Sequence, residues 1–150
     1  MAELDPVRKL LLQEDEASLA TFEETAPFVS AVNYLFKPET GDPLGNLYLF
    51  LSGLARHTKN LQKNQTASLL VIGKDPGVPL PERKRVTVMG KMERVKSDQE
   101  AKILEAQYRK QFPFSEMFFS LPDFHFYRFR PEAVHWIAGF AQIKNWEISG

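Results

Sequence analysis

From residue 17 to residue 138 this sequence is a succession of short runs rich in β-branched and aromatic side chains, with no regular alternation of strand and helix. Residues 17–22 and 27–36 read as adjacent strands across the polar Glu23, Glu24 and Thr25. Residues 38–43, Pro-Glu-Thr-Gly-Asp-Pro, concentrate turn formers and close a hairpin onto a strand at 46–51. Further strands are predicted at 66–72, 84–95, 124–130 and 133–138, with a long Pro/Gly-rich loop at 73–82. Six or seven strands without βαβ alternation predict a mainly β domain, an antiparallel barrel or sandwich with a few short peripheral helices.

The helices carry their own signals. Asp5 as N-cap, Pro6 at the first helical position and Val7, Leu10 and Leu11 as an apolar stripe predict a helix over 5–14. Residues 54–64 read as a turn or two of helix anchored by Leu61. Ser97-Asp98-Gln99-Glu100 matches a capping box, with Glu100 expected to reach back to the Ser97 amide. Ala101, Leu104, Tyr108 and Phe112 follow at helical spacing, and Pro113 ends the run.

The 150 residues suit a single domain over 1–150, and Lys plus Arg balances Asp plus Glu at 19 each. Zero net charge argues against nucleic acid as a partner, because displacing counterions from phosphates needs a basic excess. The absence of cysteine excludes disulfides, thiolate metal sites and thiol nucleophiles. The acidic amino terminus lacks the basic-then-apolar order of a secretory signal. The most apolar stretch, 44–55, falls short of the roughly 20 residues a membrane span needs. A cytoplasmic protein without a membrane partner is the expectation. His57, His125 and His135 lack metal-ligand spacing, so no metal site is expected; the last two fall on predicted neighbouring strands.

Chemistry concentrates at 51–61, Leu-Ser-Gly-Leu-Ala-Arg-His-Thr-Lys-Asn-Leu. A strand ends at Ser52 and a short helix begins under Arg56, Thr58 and Lys59. Free helix-start amides, a hydroxyl and two cations make an anion site suited to a phosphate monoester. A solvated basic helix after a turn accounts for the same residues.

Three segments together carry a family resemblance: Pro27-Phe28-Val29-Ser30-Ala31-Val32-Asn33-Tyr34, then the stretch from Ser52 to Leu61, then Arg85-Val86-Thr87-Val88-Met89-Gly90-Lys91-Met92-Glu93. In order and spacing they resemble the FMN-binding split barrels, the family of pyridoxamine 5′-phosphate oxidase. The likeness is closest to the haem-utilisation branch, which shares a His-Thr-x-Asn-Leu like residues 57–61 and a Gly-Phe-Gly-x-Ala whose place Gly139-Phe140-Ala141-Gln142-Ile143 takes imperfectly.

The resemblance implies a split β-barrel that binds FMN as a homodimer, with both subunits lining the flavin cleft. It implies that Ser30, Ala31, Val32 and Asn33 run along the isoalloxazine and ribityl chain through backbone and small side chains. Ser52, Thr58 and Lys59 are implied to hold the phosphate. Arg85 stands where the oxidase has a cofactor-contacting glutamine, and the oxidase's second phosphate cation is either absent or replaced by Arg56 or Arg85. Phe112, Phe114, Phe118, Phe119 and Trp136 are expected to supply aromatic area for the subunit contact. The implied activity is that of a flavin-dependent oxidoreductase of unknown small-molecule substrate; the alternative is a haem-binding or non-catalytic flavin module on the same barrel. The oxidase's carboxy-terminal Arg-Leu-x-Pro is absent, and Arg128-Phe129-Arg130-Pro131 does not replace it.

Overall fold

Apolar residues at every second position turn one face of the strands at 16–23, 66–72 and 85–94 inward, and the strands join into one curled antiparallel sheet. The computed structural model describes residues 2–148. The strands are β1 (Glu16–Glu23), β2 (Ala26–Asn33), β3 (Leu35–Lys37), β4 (Asn46–Ser52), β5 (Thr66–Ile72), β6 (Arg85–Arg94), β7 (Phe124–Gly139) and β8 (Gln142–Glu147). The helices are α1 (Asp5–Gln13), α2 (Arg56–Lys63) and α3 (Asp98–Gln111), with 3-10 turns at Ala2–Leu4, Leu80–Glu82 and Pro113–Ser120.

The sheet order is β2-β1-β5-β6-β7-β4-β3, with β8 also on β7. β2 and β3 stand at opposite ends of that order, yet only Tyr34 separates them in sequence. Consecutive Cα atoms lie about 3.8 Å apart, so the two ends of the sheet must curl together there. The expected single strand at 27–36 is therefore two, changing partner from β1 to β4. Tyr34 fixes the change: its amide donates to Asp15 O (3.0 Å) and its buried hydroxyl to Leu11 O (2.8 Å). Val7, Leu10 and Leu11 of α1 join Leu19, Leu47, Leu69, Val88 and Phe129 in the main core.

Other expectations shift for local reasons. The 3-10 turn before α1 makes Leu4 its cap residue, and Asp5 pairs with Arg8 (2.7 Å) instead of capping. The strands expected at 124–130 and 133–138 are the single β7, which runs through Pro131 beside a register shift at Met89/Gly90 of β6. That irregularity is where a residue with no N–H can sit in a ladder. β8 was not anticipated because its side chains are mostly exposed and polar. His125 and His135 share β7 rather than lying on neighbouring strands.

α3 begins at Ser97, whose hydroxyl accepts from the Glu100 amide (3.2 Å). The Glu100 carboxylate turns away from the cap to bind Arg128. Arg128 also donates to Tyr48 Oη (3.2 Å) and lies 3.4 Å from Glu93, while Arg130 donates to Glu93 at 2.6 Å. α3 thus covers the outer side of β3, β4 and the start of β7, burying Leu104, Tyr108 and Phe112 against Leu35, Tyr48 and Phe126. Phe112 and Trp136, expected at a subunit contact, are packed inside this chain.

The hydrogen bond from Arg130, with Arg128 beside it, holds the Glu93 carboxyl below its ordinary value of 4.5. The unfolded chain then takes up that proton at higher pH than the folded one. Stability from this contact is complete above the ordinary value and is lost as pH falls through the lowered one. Glu93→Gln should therefore flatten the acid side of a Tm-against-pH curve; parallel curves for both proteins would refute the assignment.

Candidate functional site

Two regions receive the residues singled out from sequence. The first is the corner where β4 hands over to α2. Ser52 Oγ donates to Asp123 Oδ2 (2.5 Å) and accepts from the Leu54 amide (3.1 Å), so its hydroxyl braces the turn. Gly53 N bonds Asp123 O (2.7 Å) and fixes the direction in which the chain leaves the sheet. α2 then starts after Ala55, which offers no side-chain cap. Its first-turn amides keep the donor capacity of an uncapped helix start.

Asn60 fastens α2 to the β1–β2 hairpin through Thr21 Oγ1 (3.1 Å) and Glu23 Oε2 (3.2 Å). Arg56 binds Glu23 through Nε (2.6 Å) and lies over the Phe28 ring (4.6 Å). That hydrogen bond keeps the Glu23 carboxyl below its usual range. Lys59 and Lys63, one turn apart, complete a groove of about 550 Å³ with Phe22, Glu23 and Arg56. Glu23, Asn60 and Lys63 were missed from sequence; the Lys59/Lys63 spacing of four was the readable signal. Among the described residues Lys59 and Lys63 make no ion pair.

Behind the groove, Thr58 is fully buried and its Oγ1 has no partner. Ser30 Oγ on β2 and His57 Nε2 are likewise buried without partners. Burial pushes the His57 pKa down and leaves its ring neutral at pH 7. A buried hydroxyl left unpaired costs about 1–3 kcal/mol, so the Ser30 and Thr58 hydroxyls keep unused donor capacity in the folded chain.

The second region is β2 itself. Ser30 and Val32 face inward, on the same side as Phe28, while Ala31 faces outward. Asn33 Nδ2 donates to Asp15 O (3.3 Å). Ala31, Val32 and Asn33 line an open groove of about 450 Å³ with Leu70, Lys74 and Arg83. β2 pairs only with β1, so the amides and carbonyls of its other edge have no strand partner.

Arg85 lies apart. Its guanidinium donates to Leu80 O (2.7 Å) and Arg83 O (3.1 Å). It stands on β6, three strands from β2 or roughly 14 Å at the usual strand spacing. Ser52 ends β4 and Thr58 and Lys59 lie in the first turn of α2 across the turn at 53–55, Ala31 to Asn33 line a separate groove on β2, and Arg85 lines neither groove. Among the described residues, no three metal-type side chains converge, and no helix is long and apolar enough to cross a membrane.

The family model described as CREG, beta-barrel, matches residues 5–147. The chain belongs to the CREG β-barrel family. No curated protein matches it in sequence. Among solved structures similar to this CREG-type barrel is a heme binding protein from Mycobacterium smegmatis, 23% identical with a TM-score of 0.81. The alignment covers 93% of this chain but 55% of that one, so the CREG-type chain spans little more than half of that relative. The heme storage protein HutZ from Vibrio cholerae is 28% identical with a TM-score of 0.71, covering 86% of this chain and 90% of that one. A FAD-binding protein from Mesorhizobium loti is 19% identical with a TM-score of 0.69, covering 89% and 90%. Proteins of the pyridoxamine phosphate oxidase family share the fold as well. The CREG-type chain is thus an antiparallel split barrel whose structural relatives include haem-binding and flavin-binding proteins.

Proposed function

We propose that the chain binds FMN along the free edge of β2, with the phosphate at the start of α2, and serves as a flavin-dependent oxidoreductase. The observation that carries this reading is the fully buried, unpartnered Thr58 hydroxyl beside the uncapped helix start and Lys59. The free β2 edge supports it, because unpaired amides and carbonyls suit the alternating acceptors and donors of a flavin's pyrimidine rim. Bound flavin supplies the redox chemistry. The chain's part is to grip the phosphate, align the ring on β2 and leave one ring face to substrate.

The reading includes a homodimer. α3 covers the outside of one half of the sheet, but among the described residues no helix packs broadly on the outside of β1, β5, β6 and the second half of β7. That face carries Ala20, Leu70, Met89 and Ile137, all half-buried. A second copy seated there is the homodimer of this reading, with its Arg85 as the cation offered to the first copy's cleft.

Purified protein should be yellow. Lys59→Ala should weaken FMN binding by about 1.5–3 kcal/mol, the worth of a charged hydrogen bond, and riboflavin should bind far more weakly than FMN. Titrations in which Lys59→Ala matches the parent would remove the phosphate assignment. A second reading, haem carriage, is favoured by His57, whose neutral ring keeps Nε2 unpartnered. A Soret band on adding haem that disappears in His57→Ala would select it.

A further inference from the structure

On the α3 side of the sheet lies a cavity of about 450 Å³ that shares no lining residue with the α2 groove. Phe50, Phe119, Phe124 and Phe126 line it. Phe50 stacks on Phe119 with ring centres 4.5 Å apart and planes at 24°, and meets Phe126 at 4.6 Å and Phe124 at 5.3 Å. Phe50, Phe119 and Phe124 nevertheless remain half-buried, so the cluster presents aromatic surface to the cavity instead of closing over it.

The rim carries both signs, Arg94 and Lys96 beside Asp98 and Glu105. Glu105 pairs with Arg109 (2.9 Å), which also binds Glu116 (3.0 Å), and Asp98 sits in the first turn of α3, where the helix amides favour its charge. Among the described residues Arg94 makes no ion pair, and its guanidinium lies 3.0 Å from His125 Nδ1. Arginine only donates, so Nδ1 accepts and the ring proton sits on Nε2. Desolvation and the adjacent Arg94 hold the His125 pKa down against the opposing pull of Asp123, which favours that neutral ring. Lys96, also on the rim, makes no ion pair among the described residues. Two cations without an ion pair among the described residues and an imidazole N–H thus border an aromatic-walled space within the usual 300–1,000 Å³ range of small-molecule sites.

We propose that this cavity binds a planar aromatic carboxylate of one or two rings. Its ring lies against Phe50, Phe119 and Phe124, and its carboxylate meets Arg94, Lys96 and His125. The arrangement asks for both parts of the ligand: rings gain from offset or edge-on contact with other rings, and a carboxylate is matched by guanidinium and ammonium donors.

The test is calorimetric titration of the full chain with 2-naphthoate, beside 2-naphthamide and cyclohexanecarboxylate, with the site mapped by amide chemical shifts. Naphthoate should shift amides around residues 94–98 and 119–126, and both controls should bind at least tenfold more weakly. The double variant Arg94→Gln/Lys96→Gln should lose at least tenfold for naphthoate while its Tm and its FMN titration stay those of the parent. Equal binding of naphthoate and naphthamide, shifts centred on β2 or α2, or no binding by millimolar naphthoate would each overturn the proposal. Should Arg94→Gln/Lys96→Gln fold poorly, Phe119→Leu, which removes the ring and keeps the bulk, must show the same loss.

Discussion

Replacing Phe129 with alanine is expected to lower stability by about 3–5 kcal/mol, the cost of emptying a fully buried aromatic site. Phe129 is 0% exposed and sits on β7 between Leu47 of β4 and Met92 of β6. Its ring therefore packs where three strands meet, and neighbouring strands cannot close the hole without leaving their ladders. A domain of this size has about 5–15 kcal/mol in all, and its Tm moves about 2–4 °C per kcal/mol. The Tm of Phe129→Ala should fall by roughly 6–20 °C. Calorimetry showing a loss below about 3 °C would mean that the core collapses onto the site far better than barrel geometry allows.

Gly90→Ala should destabilise by about 3 kcal/mol, the upper end for overpacking. A Cβ at Gly90 would stand 2.0 Å from the carbonyl oxygen of Arg130 and 3.1 Å from Cα of Pro131. Both obstacles are backbone, so no side chain can swing aside. Relief requires opening the irregularity that lets β7 carry Pro131 past β6. Hydrogen exchange should accelerate in β6 and β7 before the rest of the sheet, and a variant with parental exchange there would contradict this account.

These two positions show why the barrel was only partly legible. Alternation of apolar residues made β1, β5 and β6 readable, because each strand's inward face is decided by its own side chains. The capping signal of Ser97 and the apolar spacing after it placed α3 in the same local way. Arg128-Phe129-Arg130-Pro131 looked like the end of one strand and the start of another, since proline lacks a ladder donor. The glycine that permits a continuous β7 lies some forty residues away in sequence, in register opposite Pro131. The break at Tyr34 was hidden for a similar reason: residues on both sides favour strand, and only contacts with Leu11 and Asp15 change the partner.

The candidate site divides along the same line. Turn, helix start and cations at 52–59 are local features, and the sequence alone sufficed to suggest an anion corner there. Tertiary structure decided what surrounds it: Glu23 takes up Arg56, Asp123 takes up Ser52, Thr58 is left buried without a partner, and Arg85 is carried three strands away. The physical reason is range. Propensity, capping and alternation act within about one turn or one strand, whereas charge pairing, burial and hydrogen-bond satisfaction depend on which distant segments the curled sheet brings into contact.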